Sequence, residues 1–177
     1  MKATHHLIQE HKVILRTLDV LDAVAASVEA EALVNTEDTD KILDFLRWFV
    51  DAHHQAKEES ILFPAMKAHT ESENRPVQHM MFEHDQERRT VEDLETDVRL
   101  ARLSPFVSHA NRLSSTLRNH IYKEEQLLFP AADELLTLEE DEAVTEELNR
   151  FETALDTQIL DQKLHDLHAL ERKYLRK

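Results

Sequence analysis

Imidazole and carboxylate side chains recur in one stretch that the chain carries twice. The first copy is His54-Gln55-Ala56-Lys57-Glu58-Glu59-Ser60-Ile61-Leu62-Phe63-Pro64-Ala65. The second is His120-Ile121-Tyr122-Lys123-Glu124-Glu125-Gln126-Leu127-Leu128-Phe129-Pro130-Ala131. Both read H-x-x-x-E-E-x-x-L-F-P-A. On a helix, positions i and i+4 share a face, which sets His54 beside Glu58 and His120 beside Glu124. An imidazole and a carboxylate one turn apart can hold a metal ion, and two such turns facing each other can hold two.

A second element repeats ahead of each copy: Glu10-His11 in the first half, Glu83-His84 in the second. His11 falls inside an apolar stripe, one turn after Leu7 and one before Leu15. His84 falls in the stripe Val77, Met80, Met81, Val91, Leu94 and Val98. A lone histidine on an apolar face is more often a hydrogen-bonded core residue than a ligand. Four helices, each with an inward histidine and two with glutamate at i+4, form a different pattern. Buried carboxylates with no Lys or Arg on their face require a cation or a proton. The candidate ligands are therefore His11, His54, Glu58, His84, His120 and Glu124. Four imidazoles and two carboxylates without sulfur suit iron, zinc or manganese and disfavour calcium. They are too many for one tetrahedral zinc and fit two ions, with Glu58 and Glu124 able to bridge. No H-E-x-x-H occurs, which disfavours a zinc protease. The ferritin-like spacing, Glu before His by three, is also absent.

The helices that must position these residues are legible from periodicity and punctuation. The first is predicted over 3 to about 28 and the second from about Asp38 to His69. In the second, Ile42, Phe45, Leu46, Phe49 and Val50 lead along one face to His54 and Glu58. Pro64 lacks an amide hydrogen and clashes with the carbonyl of Ser60, so a kink or early stop is expected there. Thr70 to Pro76 reads as a linker. A third helix spans roughly Val77 to Leu103, and Ser104-Pro105 reads as N-cap and first position of a fourth, ending near Leu136. Thr137-Leu138-Glu139-Glu140 resembles a capping box opening one long fifth helix that reaches almost to Lys177. Two repeated hairpins predict an all-α protein: an antiparallel up-down four-helix bundle over residues 1–136, with the additional long C-terminal helix over 137–177. The single apolar stripe of that helix can cover the bundle or pair with a second copy in a homodimer.

Composition sets the outer limits. The chain has 177 residues and a net charge of −15, which argues against a nucleic-acid partner. It has no cysteine, so disulfides, thiolate zinc and cysteine-ligated clusters are excluded, and a cytoplasmic setting is expected. It has no glycine, which disfavours Gly-rich phosphate loops. No apolar run is long enough to span a membrane. Among the other histidines, His6 and His79 each lie five residues before a proposed ligand and would need a π-bulge to face inward. His53 is expected to face a neighbouring helix or solvent, and His165 and His168 a solvated face. His5, His69 and His109 show no partner pattern. Glu59 and Glu125 read as solvated acids or acids behind the ligands, and Phe63 and Phe129 as core.

The order His11, His54-x-x-x-Glu58, His84, His120-x-x-x-Glu124 resembles that of hemerythrin-like (HHE cation-binding) proteins. The surrounding Lys57-Glu58-Glu59, Leu62-Phe63-Pro64, Glu83-His84 and Lys123-Glu124 look similar to bacterial members, and the resemblance covers about residues 3 to 132. It implies two non-haem iron ions, oxo- or hydroxo-bridged and spanned by the two glutamates, ahead of zinc or manganese. It also implies a small ligand: dioxygen, nitric oxide or peroxide. The family's oxygen carriers place two histidines at i and i+4 on the third helix. Here the residue four before His84 is Met80, and four after it is Arg88. The expectation is a di-iron protein that binds dioxygen or a related small oxidant. A di-iron enzyme, or a sensor acting through the C-terminal helix, is the alternative.

Overall fold

The computed structural model describes residues 2–69 and 75–175, and among them every regular element is helical. Most of the expected Thr70–Pro76 linker lies outside the described residues. Helix α1 (Ala3–Glu31) ends at Ala32, whose φ of 52° places it in the left-handed region. Helix α2 (36–67) opens at Asn35, whose side chain accepts the Asp38 amide. Helix α3 (Arg75–Arg99) is followed by α4 (103–135). Ala101, with φ of 51°, closes α3, and the Arg102 amide donates back to the Asp97 carbonyl at 2.8 Å. That is a Schellman closure with alanine where glycine is usual.

This closure moves the start of α4. The helix begins at Leu103, with Arg102 before it, so Ser104 does not cap and Pro105 lies deeper in the first turn than the Ser-Pro signal predicts. Pro105 is tolerated there because amides of the first turn have no intrahelical acceptor. At the other end, Thr137 and Glu140 form the expected capping box.

The expected single C-terminal helix is two. Helix α5 (Leu138–Thr153) stops at Ala154, and α6 (Thr157–Tyr174) starts afresh from Asp156, whose side chain accepts the Gln158 amide. An aspartate that caps a new helix ends the old one, because its side chain competes for backbone donors. Helix α5 packs on α1 and on the Glu58–Leu62 turn, while α6 packs on α1 and α2. Ion pairs tie α6 down: Arg16 to Glu171 at 2.6 Å, and Lys163 and Lys173 to Asp44 and Asp38.

Helix α2 does not stop or break at Pro64. The turns Glu58–Leu62 in α2 and Glu124–Leu128 in α4 are widened into π turns. The Phe63 amide donates to the Glu58 carbonyl and the Phe129 amide to the Glu124 carbonyl, five residues back. The wider turn relieves the clash that proline would create with an α-helical carbonyl four residues earlier. A further π stretch, Leu46–Gln55, leads up to the first motif.

The apolar interior comes in two clusters. One contains Ile14, Leu18, Phe45, Phe49, Leu94 and Leu117, closed over by Leu167 and Leu170 of α6. The other contains Leu7, Leu62, Phe63, Val77, Leu128 and Phe129, closed over by Val144 and Leu148 of α5. Along α1 to α4, the stripe passes from one cluster to the other at His11, at His54 and Glu58, at His84, and at His120 and Glu124. The helices are apolar above and below, and a layer of imidazole and carboxylate lies between.

Candidate metal centre

All six residues singled out by spacing meet in that layer, and all are buried. They form two groups that share both glutamates: His11, His54, Glu58 and Glu124, and His84, His120, Glu58 and Glu124. The Nε2 atoms of His11 and His54 lie 3.1 Å apart, as do those of His84 and His120. Glu58 directs Oε1 to His54 Nε2 at 3.5 Å and Oε2 to His84 Nε2 at 3.4 Å. Glu124 directs Oε2 to His11 Nε2 at 3.2 Å and Oε1 to His120 Nε2 at 3.1 Å. Each carboxylate thus gives one oxygen to each imidazole pair.

Behind every imidazole, Nδ1 donates to a carboxylate. His54 donates to Glu10 at 2.8 Å and His120 to Glu83 at 2.8 Å. His84 donates to Glu59 at 2.7 Å and His11 to Glu125 at 2.9 Å. The acid before each E-H histidine therefore serves the histidine of the H-x-x-x-E helix beside it, and the acid after each central glutamate serves the E-H histidine. With Nδ1 engaged on an outer acid, Nε2 is the ring nitrogen turned inward, the one a metal would take. Cations hold three of the four acids: Lys57 on Glu10, Lys123 on Glu83, and Arg88 on Glu59 at 2.5 Å. Phe129 stacks on His11 with ring centroids 5.5 Å apart, and Phe63 on His84 at 5.9 Å.

The donor set fits divalent cations. None of the four oxygens of Glu58 and Glu124 has a hydrogen-bond partner, although each is sealed from solvent. An unpaired buried carboxylate costs several kcal/mol, roughly, which makes a compensating charge obligatory. In the metal-free chain protons supply it. Burial alone would depress His84, but the carboxylates of Glu58 and Glu59 beside it outweigh that and lift the ring to about 9. Burial is outweighed in the same way at His120, where the charge of Glu124 pushes the ring well up. His11 is also raised, burial being overcome by the Glu124 carboxylate beside it. Glu124 itself falls well below the usual carboxylate range: burial would raise it, and the charge of His120 overrides that. A metal ion held by these residues would take the place of protons on the imidazole rings.

The remaining histidines sort by contact. His79 is 57% exposed and leans on Glu83. The π turns fall in α2 and α4 rather than ahead of His11 or His84, so neither His6 nor His79 joins the cluster. His165 and His168 are exposed, as their solvated face predicts. His109 and His69, which show no partner pattern in the sequence, bind Asp97 at 2.6 Å and Glu140 at 2.9 Å. His53 is buried against a neighbouring helix, stacked on Trp48 and edge-on to Phe151.

The parts missed by sequence reasoning stand one step behind the candidate ligands. Glu10 and Glu83 are visible as half of a repeated E-H pair, and Lys57 and Lys123 as the Lys shared by both long copies, but neither repeat reveals what they hold. Glu87 and Gln55 carry no signal. They are buried together, Gln55 donating to Glu87 at 2.6 Å, and burial raises the Glu87 carboxyl. Beside them a cavity of about 80 Å³ opens between α2, α3 and α4, walled by Leu46, Val50, Val91, Leu113 and Leu117.

No curated protein and no solved structure matches the chain. Residues 2–132 match the model of the hemerythrin HHE cation binding domain, and with all six candidate ligands inside that span, the chain belongs to this family.

Proposed function

We propose that the chain is a non-haem di-iron protein that binds dioxygen or a related small oxidant at the His/Glu layer. One observation carries the reading: the four partnerless oxygens of Glu58 and Glu124, each facing a different imidazole Nε2. His11 and His54 would hold one ion, His84 and His120 the other, and the two glutamates would span both. Sulfur-free nitrogen and oxygen donors suit ferrous and ferric iron, with zinc or manganese behind. Bound iron would supply the electrons and open coordination positions for a diatomic ligand. The protein's own part is to keep each Nδ1 engaged, exclude water with Phe63 and Phe129, and hold compensating charge on the outer acids. The frame we infer is the antiparallel up-down bundle of α1 to α4 over residues 1–136, supported by the short α1–α2 and α3–α4 connections. Residues 137–177 are its cover. The absence of cysteine supports a cytoplasmic setting.

Metal analysis of protein purified without chelator, read together with its visible spectrum, tests this. Two irons per chain with oxo-to-iron charge-transfer bands are expected. A chain purified from iron-replete cells with no iron, or with zinc alone in both positions, would overturn it.

A second reading, turnover rather than carriage, is favoured by α3 giving a single imidazole to the cluster. Met80 belongs to an apolar cluster, and Arg88 is turned to Asp51 and Glu59. Rapid mixing of the reduced protein with oxygen separates the two. A long-lived band that disappears under argon marks binding, and immediate oxidation or steady peroxide consumption marks an enzyme.

A further inference from the structure

The charged groups outside the two pairs of histidines are not equivalent. Lys57 is among the largest fully buried side chains of the molecule, and its side chain is 2% exposed, against 20% for its counterpart Lys123. Its ammonium sits among Glu10 Oε1, Glu152 Oε1 and His53 Nε2, the last at 3.1 Å, with the Phe151 ring 5.9 Å away. Glu10, His53 and Glu152 also lie close enough together to hold a cation, and Lys57 supplies it. Two of the groups around it, Phe151 and Glu152, come from α5, beyond the span that matches the family. Lys123, by contrast, reaches Glu83 and the exposed His79, and α5 sends it nothing.

From this we infer that α5 is a working part of the centre: Glu152, through Lys57 and Glu10, positions His54 and sets how tightly the His11/His54 half holds its ion. The inference rests on the two-ion reading above. Glu10 uses one oxygen for Lys57 and the other for the His54 Nδ1 proton, so the lysine fixes both the orientation of the carboxylate and the charge it presents to the ring. A buried ammonium needs anionic partners, and Glu152 is the one that does not also face the ligands. Without it, Lys57 has only Glu10 to neutralise it and draws charge away from His54. Without Lys57, the outer oxygen of Glu10 keeps only His53, 3.5 Å away and without a lysine's fixed charge. Partners behind a metal ligand commonly change metal affinity by about 10- to 100-fold. Lys57, Glu10 and Glu152 are positioning residues in this scheme.

Stepwise titration of the full-length, metal-free chain with ferrous iron under argon tests it by calorimetry. Wild type should show two binding steps. Lys57→Met should weaken one step by about 10- to 100-fold and leave the other within about twofold. Lys57→Arg should recover most of the loss, and Glu152→Ala should weaken the same step by a smaller factor. Assignment to a half comes from combination. Lys57→Met should add nothing to His54→Ala, where that half is already lost, but should still act on His120→Ala. Thermal melts of each metal-free variant show whether folding is intact, and Lys57→Arg keeps the test open if Lys57→Met unfolds. Two intact steps in Glu152→Ala and Lys57→Met, unchanged from wild type, overturn the inference and leave the two-ion site standing. Fewer than two steps in wild type overturns the site reading itself.

Discussion

In the half built around His11 and His54, the buried Lys57 is shared between Glu10 and Glu152, while Glu125, behind His11, has no Lys or Arg within ion-pair distance among the described residues. In the half built around His84 and His120, the part-exposed Lys123 holds Glu83, and Arg88 clamps Glu59, behind His84, to Asp51. The candidate ligands and their immediate acceptors are repeated almost atom for atom. The cations are not. The halves share their hydrogen-bond plan because the motif repeats, and they differ where one half is covered by α5 and the other carries Arg88. Two ions in such a cluster would meet the same donors under different fields and would not be bound or released as equals.

The largest break in this comparison comes from the residues common to both halves. Glu124→Ala or Glu58→Ala should cost both ions, more than about a hundredfold each, whereas His54→Ala or His120→Ala should cost mainly one. Metal stoichiometry after exhaustive dialysis reads the difference. Equal losses from a glutamate and a histidine variant would mean that the carboxylates do not bridge.

Next in size is a pH effect confined to the metal-free chain. His84 is raised from its ordinary 6.5 to about 9, so the folded state binds that proton more tightly than the unfolded state. The stabilisation is complete below about pH 6.5 and is lost as pH rises through 9, on the order of 3 kcal/mol. Urea melts at pH 6 and pH 9.5 should differ by at least this much in wild type and by about this much less in His84→Ala, where the raised His11 and His120 rings remain. Saturating metal should flatten the wild-type dependence, because the ligated ring carries no proton to lose.

A smaller effect isolates Arg88. Replacing it with Met frees Glu59 and should weaken the His84/His120 ion by about tenfold, without touching the other step. If both steps move together, the halves are coupled more strongly than their separate cations suggest. The smallest effect falls where the halves agree. Helices α1 and α3 both end on a left-handed alanine, Ala32 and Ala101. Glycine at either position should add about 1 kcal/mol of stability by removing the Cβ clash, with a melting point higher by roughly 2–4 °C. Unequal gains would show that the two helix ends are not equivalent.

What is legible in the sequence follows from how local each cause is. His–Glu spacing at i+4 puts two groups on one face whatever surrounds them, and apolar stripes running through His11 and His84 aim those helices inward. Spacing and periodicity alone are therefore enough to gather the six residues. Glu10 and Glu83 lie one residue from a candidate ligand on their own helix, about 100° round it, and their partners are on the neighbouring helix. Only packing reveals the exchange. Lys57 carries no hint of burial, because lysine at such a position is ordinarily solvated, and its second partner lies far along the chain in α5. The break between α5 and α6 is hidden by an apolar stripe that continues across it. The π turns are signalled by the chemistry of Pro64 and Pro130, but proline alone does not say whether a helix ends, bends or widens.

Those two prolines have a consequence for how the centre keeps time along the chain. A π turn carries one extra residue without lengthening the ladder, so everything after it is rotated by about one residue relative to a regular helix. Phe63 and Phe129 are the first residues past the widened turns, and each stacks on a histidine of another helix. The proline that follows each one denies the turn its route back to α geometry. Pro64 and Pro130 thus act as detents: in both halves they fix the angular phase between the buried glutamate and the ring stacked against the layer.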